Sequence, residues 1–307
     1  MANTYAKVSG TFEEIDNAYG KVSGTWQEAD EIYAKVSGTW ELVFAAFQAG
    51  TVQTLSSGSG TFTVPQGANA IHIQASVGGG GGAVGGADYD KAGGESSGAG
   101  GGSGAYISDK VFTVVEGETI TYAVGSIGTN GGKGYNTTGQ GGGTSSISGS
   151  TTGAIFSLTG GGGASGINGG VQGPLRTNSP GSGGSATVVV ALTSGTFRDS
   201  DGTTKNITTL TGGPVGTFNQ SGNGATGDNN GNCGGDNCRI GGSAGADSYA
   251  GNISGGTGGS SSGAGTNGGS GTRGSGGGGG AAQVNSGSTT GAPGGSGEIQ
   301  YRFLRVQ

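Results

Sequence analysis

Glycine occupies 80 of the 307 positions of this chain, against about 7% in ordinary proteins, and that excess limits what the chain can fold into. Residues 1–60 hold only 7 of these glycines, which leaves 80 − 7 = 73 for residues 61–307. Each glycine loses more backbone freedom on ordering than any other residue and has no side chain to bury. The larger part of the chain therefore needs a source of order besides an apolar core. Collagen requires glycine at every third position with abundant proline. Here there are 5 prolines, and Gly255-Gly256-Thr257-Gly258-Gly259 breaks any three-residue register. A flexible glycine–serine linker would not contain Ile71-His72-Ile73 or Thr187-Val188-Val189-Val190. What remains is a folded domain in which left-handed helices of three residues per turn lie side by side. Such helices have no internal hydrogen bonds. Without Cβ atoms to hold them apart they can bond to one another and satisfy every backbone group.

The glycine-poor N-terminus repeats with a period of 14 residues. Lys7-Val8-Ser9-Gly10-Thr11-Phe12 returns as Lys21-Val22-Ser23-Gly24-Thr25-Trp26 and as Lys35-Val36-Ser37-Gly38-Thr39-Trp40. Phe12, Trp26 and Trp40 align, as do Tyr5, Tyr19 and Tyr33. Ser-Gly between β-formers is a hairpin turn signal, so each repeat reads as two short strands. The alternative is a short helix in each acidic connector, such as Gln27-Glu28-Ala29-Asp30-Glu31-Ile32. The run Leu55-Ser56-Ser57-Gly58-Ser59-Gly60 reads as a boundary, giving a repeat region over 1–55 and a glycine-rich head over 60–307.

In the head, strands are expected at 61–64, 69–77, 105–115, 119–124, 145–148, 154–158, 186–192 and 298–306. Alternation within Ala70-Ile71-His72-Ile73-Gln74-Ala75-Ser76-Val77 and the tight Glu116-Gly117 link between two strands support this. The fold class is mainly β: short N-terminal β repeats, then a small β-sandwich-like sheet packed with polyglycine helices. The tracts 77–86, 98–104, 141–143, 160–163 and 274–280 are expected to form the second layer.

Few residues invite chemistry. The formal net charge is −6 with no basic stripe, which argues against nucleic-acid binding, and no run approaches the ~20 apolar residues of a membrane helix. Met1-Ala2-Asn3-Thr4-Tyr5-Ala6-Lys7 lacks the apolar run of a secretory signal. The chain is therefore expected to assemble in the cytoplasm and leave by lysis, the alternative being a mature chain whose signal has been removed. Matches to G-x-G-x-x-G arise by chance at this glycine content. The single histidine, His72, reads as a sheet-face residue rather than a catalytic base. Cys233 and Cys238 are the only cysteines. They read as a local disulfide pinning a loop, with free thiols the alternative. Asp199-Ser200-Asp201-Gly202 and Asp228-Asn229-Asn230-Gly231-Asn232 place oxygen ligands near a turn glycine, yet neither completes a calcium loop and both are ordinary turn sequences. No cofactor is expected, and the chain is not read as an enzyme.

Recognition belongs on loops held by a rigid scaffold. The stretches 84–95, 128–140, 167–181, 193–207 and 217–240 break the glycine pattern. Tyr89, Tyr135, Arg176, Phe197, Arg198, Phe218, Arg239 and Tyr249 are the side chains suited to anchor a partner, the alternative being packing pegs between glycine layers.

Three groups of residues carry a resemblance. Gly60-Thr61-Phe62-Thr63-Val64-Pro65-Gln66-Gly67 opens the head and is followed by Ile71-His72-Ile73 and the run 78–82. Ser103-Gly104-Ala105-Tyr106 and Gly141-Gly142-Gly143-Thr144-Ser145-Ser146 lie in its middle. Gly291-Ala292-Pro293-Gly294-Gly295-Ser296-Gly297-Glu298-Ile299-Gln300-Tyr301 closes it. In order and spacing these resemble the glycine-rich domain of tailed-bacteriophage tail and fibre proteins, and more loosely the glycine-rich distal adhesins of T-even-like phages. The resemblance implies a virion structural protein, a tail fibre or tip adhesin whose loops bind a host surface glycan or outer-membrane protein. The N-terminal Lys-Val-Ser-Gly-Thr-Trp repeats also resemble repeats near the ends of phage structural proteins, which implies attachment to other virion proteins through Tyr5, Phe12, Tyr19, Trp26, Tyr33 and Trp40, and the likeness to fibres implies a homo-oligomer.

Overall fold

The computed structural model describes residues 5–8, 11–14, 19–28, 31–45, 47–83, 99–131, 137–165, 179, 181–210, 270–271 and 290–307. The 14-residue repeats are three hairpins. Strands β1 (Tyr5–Val8) and β2 (Thr11–Glu14) form the first, β3 (Tyr19–Val22) and β4 (Thr25–Glu28) the second, and β5 (Glu31–Val36) and β6 (Thr39–Ala45) the third. The register repeats with the sequence, Lys7 opposite Phe12, Lys21 opposite Trp26 and Lys35 opposite Trp40. Ser23 and Gly24 lie at φ +51° and +89°, Ser37 and Gly38 at +49° and +93°. Two successive left-handed residues make the tight hairpin turn whose twist matches that of the strands. The acidic connectors hold no helix among the described residues, so the strand expectation stands.

Two antiparallel sheets make the head. Its strands are β7 (Gln53–Leu55), β8 (Ser59–Thr63), β9 (Ala70–Val77), β10 (Tyr106–Thr113), β11 (Thr119–Ala123), β12 (Ser145–Gly149), β13 (Gly153–Leu158), β14 (Ala186–Val188), β15 (Thr196–Arg198), β16 (Thr204–Asn206) and β17 (Glu298–Leu304), with a one-turn helix α1 (Ile207–Leu210) after β16. One sheet has the order β10-β9-β17-β7 and the other β14-β13-β12-β11-β8. Their facing residues, among them Ile71, Ile73, Phe112, Ile299 and Tyr301 against Ile120, Ile147, Phe156 and Leu158, form one core. Phe62 of β8 crosses the interface to stack on Tyr301 of β17, with ring centroids 4.5 Å apart and planes 9° from parallel. The ladder of β9 with β17 slips by one residue at Gln74, which is exposed. Opposite it on β10, Asp109 takes a left-handed φ of +49°. A one-residue bulge reverses which face each later side chain meets. Ile71 and Ile73 face the core before it; after it, Ser76 pairs in register with the core residues Ile107 and Ile299.

The expected strands are all present, shifted at their ends by one to four residues. Three were not expected. Gln53–Leu55, assigned by the sequence to the repeat region, is the edge strand beside β17. Upstream of it, Phe47 packs on the core and the Ala49 N–H bonds to the Arg198 carbonyl at 2.9 Å. The stretch 193–207 is a hairpin, β15 with β16, rather than a loop.

The glycine tracts are not a second layer over the sheet. They continue the strands beyond one end of the sandwich. Residues 78–83 follow β9, 99–105 lead into β10, 125–131 follow β11, 137–143 lead into β12, 159–165 follow β13, 181–185 lead into β14, and 290–297 lead into β17. Tracts from both sheets bond directly to one another. Taken in order, the N–H groups of Gly78, Gly79 and Gly80 donate to the carbonyls of Ala105, Gly143 and Gly295. Those of Gly81, Gly82 and Ala83 then donate to Gly102, Gln140 and Ala292, all six at 2.8–2.9 Å. The direction of bonding thus turns through three neighbours and returns every third residue. The carbonyls of Gly79 and Gly82 accept from Gly161 and Ala164, and those of Gly80 and Ala83 from Gly128 and Gly131. Tract 78–83 is in this way bonded to five others. A Cβ on Gly79 would fall on the carbonyl oxygen of Ser126, and one on Gly82 on that of Thr129. Only a hydrogen fits there, and it contributes a weak Cα–H···O contact. The tract 274–280 lies outside the described residues.

Candidate functional site

The strands give the head two different ends. At one end, the base, the chain enters from the hairpins. There the Gly50 N–H bonds to the Phe303 carbonyl and the C-terminal Gln307 exchanges both backbone bonds with Thr196. At the other end, beyond the glycine lattice, the chain leaves and re-enters repeatedly. Ala83 and Ala99 bound one insertion, Gly131 and Thr137 a second, and Ser165 and Ser179 a third; the long stretch from 211 returns at Ser270-Gly271, where the Gly271 N–H bonds to the Pro293 carbonyl at 3.1 Å, and the chain comes back once more at Thr290. These points are tied together. Gly131 donates to Ala83 (2.8 Å), Ala83 to Ala292 (2.9 Å), and Asn130 Nδ2 to the Gly291 carbonyl (2.9 Å). Ser165 bridges both Thr138 and Ser179, and Ala99 and Ala164 pack together fully buried. The lattice thus ends in a cross-bonded plate at which, among the described residues, the chain arrives five times, at Ala99, Thr137, Ser179, Ser270 and Thr290, and which it leaves four times, after Ala83, Gly131, Ser165 and Gly271.

Tyr89, Tyr135 and Arg176 fall in the three insertions that begin and end at this plate, and they lie outside the described residues. So do Phe218, Arg239, Tyr249, Cys233 and Cys238, in the stretch that begins at the base after α1 and reaches the plate at Ser270. Phe197 and Arg198 are at the base, on β15. Phe197 is 1% exposed and packs with Ala70, Val111, Ile207 and Leu304 on the outer face of the β9 sheet. It presents no surface to a partner and is a packing residue. Arg198 is half-buried beside it, and its carbonyl holds the incoming chain at Ala49. Of the repeat aromatics, Tyr19, Tyr33 and Trp40 are 57%, 49% and 67% exposed. Tyr5, Phe12 and Trp26 occupy matching register positions.

The base also holds a charged network on the outer sheet face, covered by the β15–β16 hairpin. Asp199 accepts from Arg302 Nη1 at 2.6 Å, from Lys205 Nζ and from the Ser200 N–H. Burial raises its pKa, but the bonds from Lys205, Ser200 and Arg302 outweigh burial and bring it down to about 2. Asp201 accepts from the Thr203 N–H and hydroxyl and meets Lys205 at 3.4 Å. Arg302 continues the network, lying 5.6 Å from the Phe197 ring centroid and donating from Nε to Nδ1 of the buried His72 at 3.3 Å. His72 Nε2 lies 3.4 Å from Asp109 Oδ1. Asp199 and Asp201 are each answered by a cation and a backbone donor, and Asp199-Ser200-Asp201-Gly202 forms the turn between β15 and β16. Among the described residues no three His, Cys, Asp or Glu side chains gather to hold a metal. This network joins elements far apart in sequence. A sequence signal existed for the hairpin itself, Asp201-Gly202 between Thr196-Phe197-Arg198 and Thr204-Lys205-Asn206; nothing marked Arg302 as its partner.

Two further polar groups fix the scaffold. The buried Glu118 carboxylate accepts from the N–H groups of Val115, Thr151 and Thr152 and from the Thr152 hydroxyl, joining two turns at the base. Burial opposes its charge, yet these bonds hold its pKa below the usual value. Ser145, fully buried where sandwich meets lattice, donates to the Val77 carbonyl at 2.7 Å and accepts from the Gly125 N–H at 2.9 Å. A family model described as a glycine-rich domain matches residues 54–304 of the chain. No curated protein matches it.

Proposed function

The chain belongs to the glycine-rich domain family over residues 54–304, and from that premise we propose that it is a tailed-bacteriophage virion protein, a tail fibre or tip adhesin. In this reading the N-terminal hairpins attach it to the particle or to a neighbouring subunit. The glycine tracts, as left-handed polyglycine helices, form a stiff spacer. The insertions at the far end read a glycan or outer-membrane protein on the host. The role is binding without catalysis, and many weak copies on one particle give avidity.

The observation that supports this most is the polarity of the head. The stretches with Tyr89, Tyr135 and Arg176 leave and rejoin a single cross-bonded plate, at the opposite end from the point where the hairpin arm enters. Segments of varied sequence clustered at one end of a rigid frame are a common arrangement for recognition. The sequence resemblance to phage tail and fibre proteins favours the phage setting.

Adsorption tests the reading. Fluorescently labelled full-length chain is expected to bind host cells and to be displaced by purified host surface polysaccharide or by detergent-solubilised outer-membrane protein. Replacing Tyr89, Tyr135 and Arg176 together by alanine is expected to remove adsorption while leaving melting unchanged. Adsorption that survives this triple change would sink the tip assignment. A chain found over the capsid surface by electron microscopy, with no adsorption to any susceptible host, would make it a decoration protein instead.

A further inference from the structure

We propose that the chain is built to carry tension along its base-to-plate axis, with the head locked in shear at β7–β17 and the hairpin arm opening in series as an extensible tether. This rests on the reading of the arm as the virion attachment and of the plate end as the host contact, since tension arises only between two such anchors. The inference starts from the direction of the strands. β7 enters at the base and runs toward the lattice, while β17 arrives from tract 290–297 and ends at the base. They pair antiparallel, Gln53 opposite Tyr301, Thr54 opposite Gln300 and Leu55 opposite Ile299. The hydrogen bonds of an antiparallel pair lie perpendicular to the strands. A pull on the arm away from the plate therefore slides β7 along β17 and loads these bonds together. The Ala49 N–H on the Arg198 carbonyl and the Gly50 N–H on the Phe303 carbonyl share that load, and Phe47 is packed on the core. β17 is held back, because its other end continues into the plate and β9 pairs with it over Glu298–Leu304.

The arm is built the opposite way. Each hairpin is a separate two-stranded sheet, and among the described residues none of β1 to β6 pairs outside its own hairpin. The chain enters and leaves a hairpin at the same open end, Tyr5 opposite Glu14, Tyr19 opposite Glu28 and Glu31 opposite Ala45. The same pull therefore draws paired strands apart sideways and breaks one rung at a time, from the open end to the Ser-Gly turn. Two-stranded hairpins are marginal in water by themselves, so all three open before the head gives. Fully extended at ~3.4 Å per residue, Tyr5–Glu14 and Tyr19–Glu28 each reach about 35 Å and Glu31–Ala45 about 50 Å. A tether that lengthens at low force spares the contact at the far end, while the shear-loaded pair keeps the head itself from unravelling.

The test uses the full-length chain in optical tweezers. One handle is attached at the N-terminus. The second sits either in the insertion between Gly131 and Thr137, at the plate, or after Gln307, at the base. Pulling from N-terminus to plate is expected to give three short lengthening steps at low force, then rupture of the head. Pulling from N-terminus to C-terminus is expected to rupture the head at a force several-fold lower, because both ends then leave from the base and β7 peels from β17 one bond after another. Gly24→Pro cannot take the φ of +89° in the second turn. It is expected to remove one of the three steps and to leave the rupture force and melting of the head unchanged. Equal rupture forces in the two directions, an arm that lengthens without separate steps, or three steps kept in Gly24→Pro overturns the proposal. Adsorption of the same chain separates it from the adhesin reading. A head that ruptures alike in both directions yet adsorbs to cells removes the load path and leaves the adhesin. Directional rupture after three steps, in a chain that adsorbs to no host, does the reverse.

Discussion

The same strands run through the sandwich and the glycine lattice, and they are held together differently in each. Between β9 and β12 the two sheets are separated by Ile71, Ile73, Ile147 and their neighbours, and packed sheets stand about 10 Å apart. A few residues further along the same chains, the Gly79 N–H bonds directly to the Gly143 carbonyl at 2.9 Å. Nothing has changed except the side chains. With Cβ atoms, backbone bonding is confined to the plane of each sheet and the third dimension is filled by apolar packing. Without them, hydrogen bonding spreads in all directions around the chain, and burial of backbone polar groups is met by more backbone. Ser145 stands at the change-over, its hydroxyl bridging Val77 of one sheet and Gly125 of the other.

This contrast predicts opposite responses to small substitutions, and the largest effect belongs to the smallest change. Gly82→Ala would drive a methyl group onto the Thr129 carbonyl oxygen, with only backbone around it to yield. Loss of a cooperative thermal transition is expected by calorimetry; a variant melting within a few degrees of wild type would break the comparison. Ile147→Ala, in the sandwich, is an ordinary core truncation costing about 2–5 kcal/mol, readable from urea unfolding with the cooperative transition kept. Glu118→Gln weakens the acceptor that joins two turns, and about 1–3 kcal/mol is expected.

Asp199→Asn sharpens the account of the base. The folded pKa of Asp199, about 2, lies below its ordinary value of 3.8. Its contribution to stability is therefore complete above about pH 4 and is lost as pH falls toward 2. Wild type should lose stability across that interval by more than the Asn variant, measured by urea unfolding at pH 5, 3 and 2. Equal losses would remove Asp199 from the acid response. The smallest effect on the head is expected from Gly24→Ala. It puts a side chain at φ +89° in an arm turn, a local strain of about 1–2 kcal/mol, and the melting of the head should not move.

How much of this could be read from sequence follows from the range of each interaction. Local signals were strong. The Ser-Gly turns, the alternation at Ala70–Val77 and the Glu116-Gly117 link each rest on neighbours in the chain, and the corresponding elements formed. Gln53–Leu55 was hidden because its partner, Ile299–Tyr301, lies about 245 residues away and the serine–glycine run after it resembles a boundary. The tracts 125–131, 181–185 and 290–297 were missed because Ser126, Thr129, Ser182 and Pro293 interrupt them. Ser126, Thr129 and Ser182 are exposed and Pro293 is half-buried, so these interruptions sit where the Cβ has room, and membership depends on direction and not on composition. Phe197 looked like a surface anchor because Arg198, Asp199 and Asp201 surround it in sequence. The two acids meet Arg302 and Lys205 instead, and the Arg302 guanidinium lies over the ring.

Amide hydrogen exchange on the full-length chain tests most directly whether backbone bonding alone orders the lattice. The amides of Gly79, Gly80, Gly81 and Gly82 are expected to be protected as strongly as those of Ile71 and Ile73 in the adjoining strand, near the limit set by global unfolding. Exchange of those glycines at the rate of an unstructured glycine chain, while β9 stays protected, would contradict it.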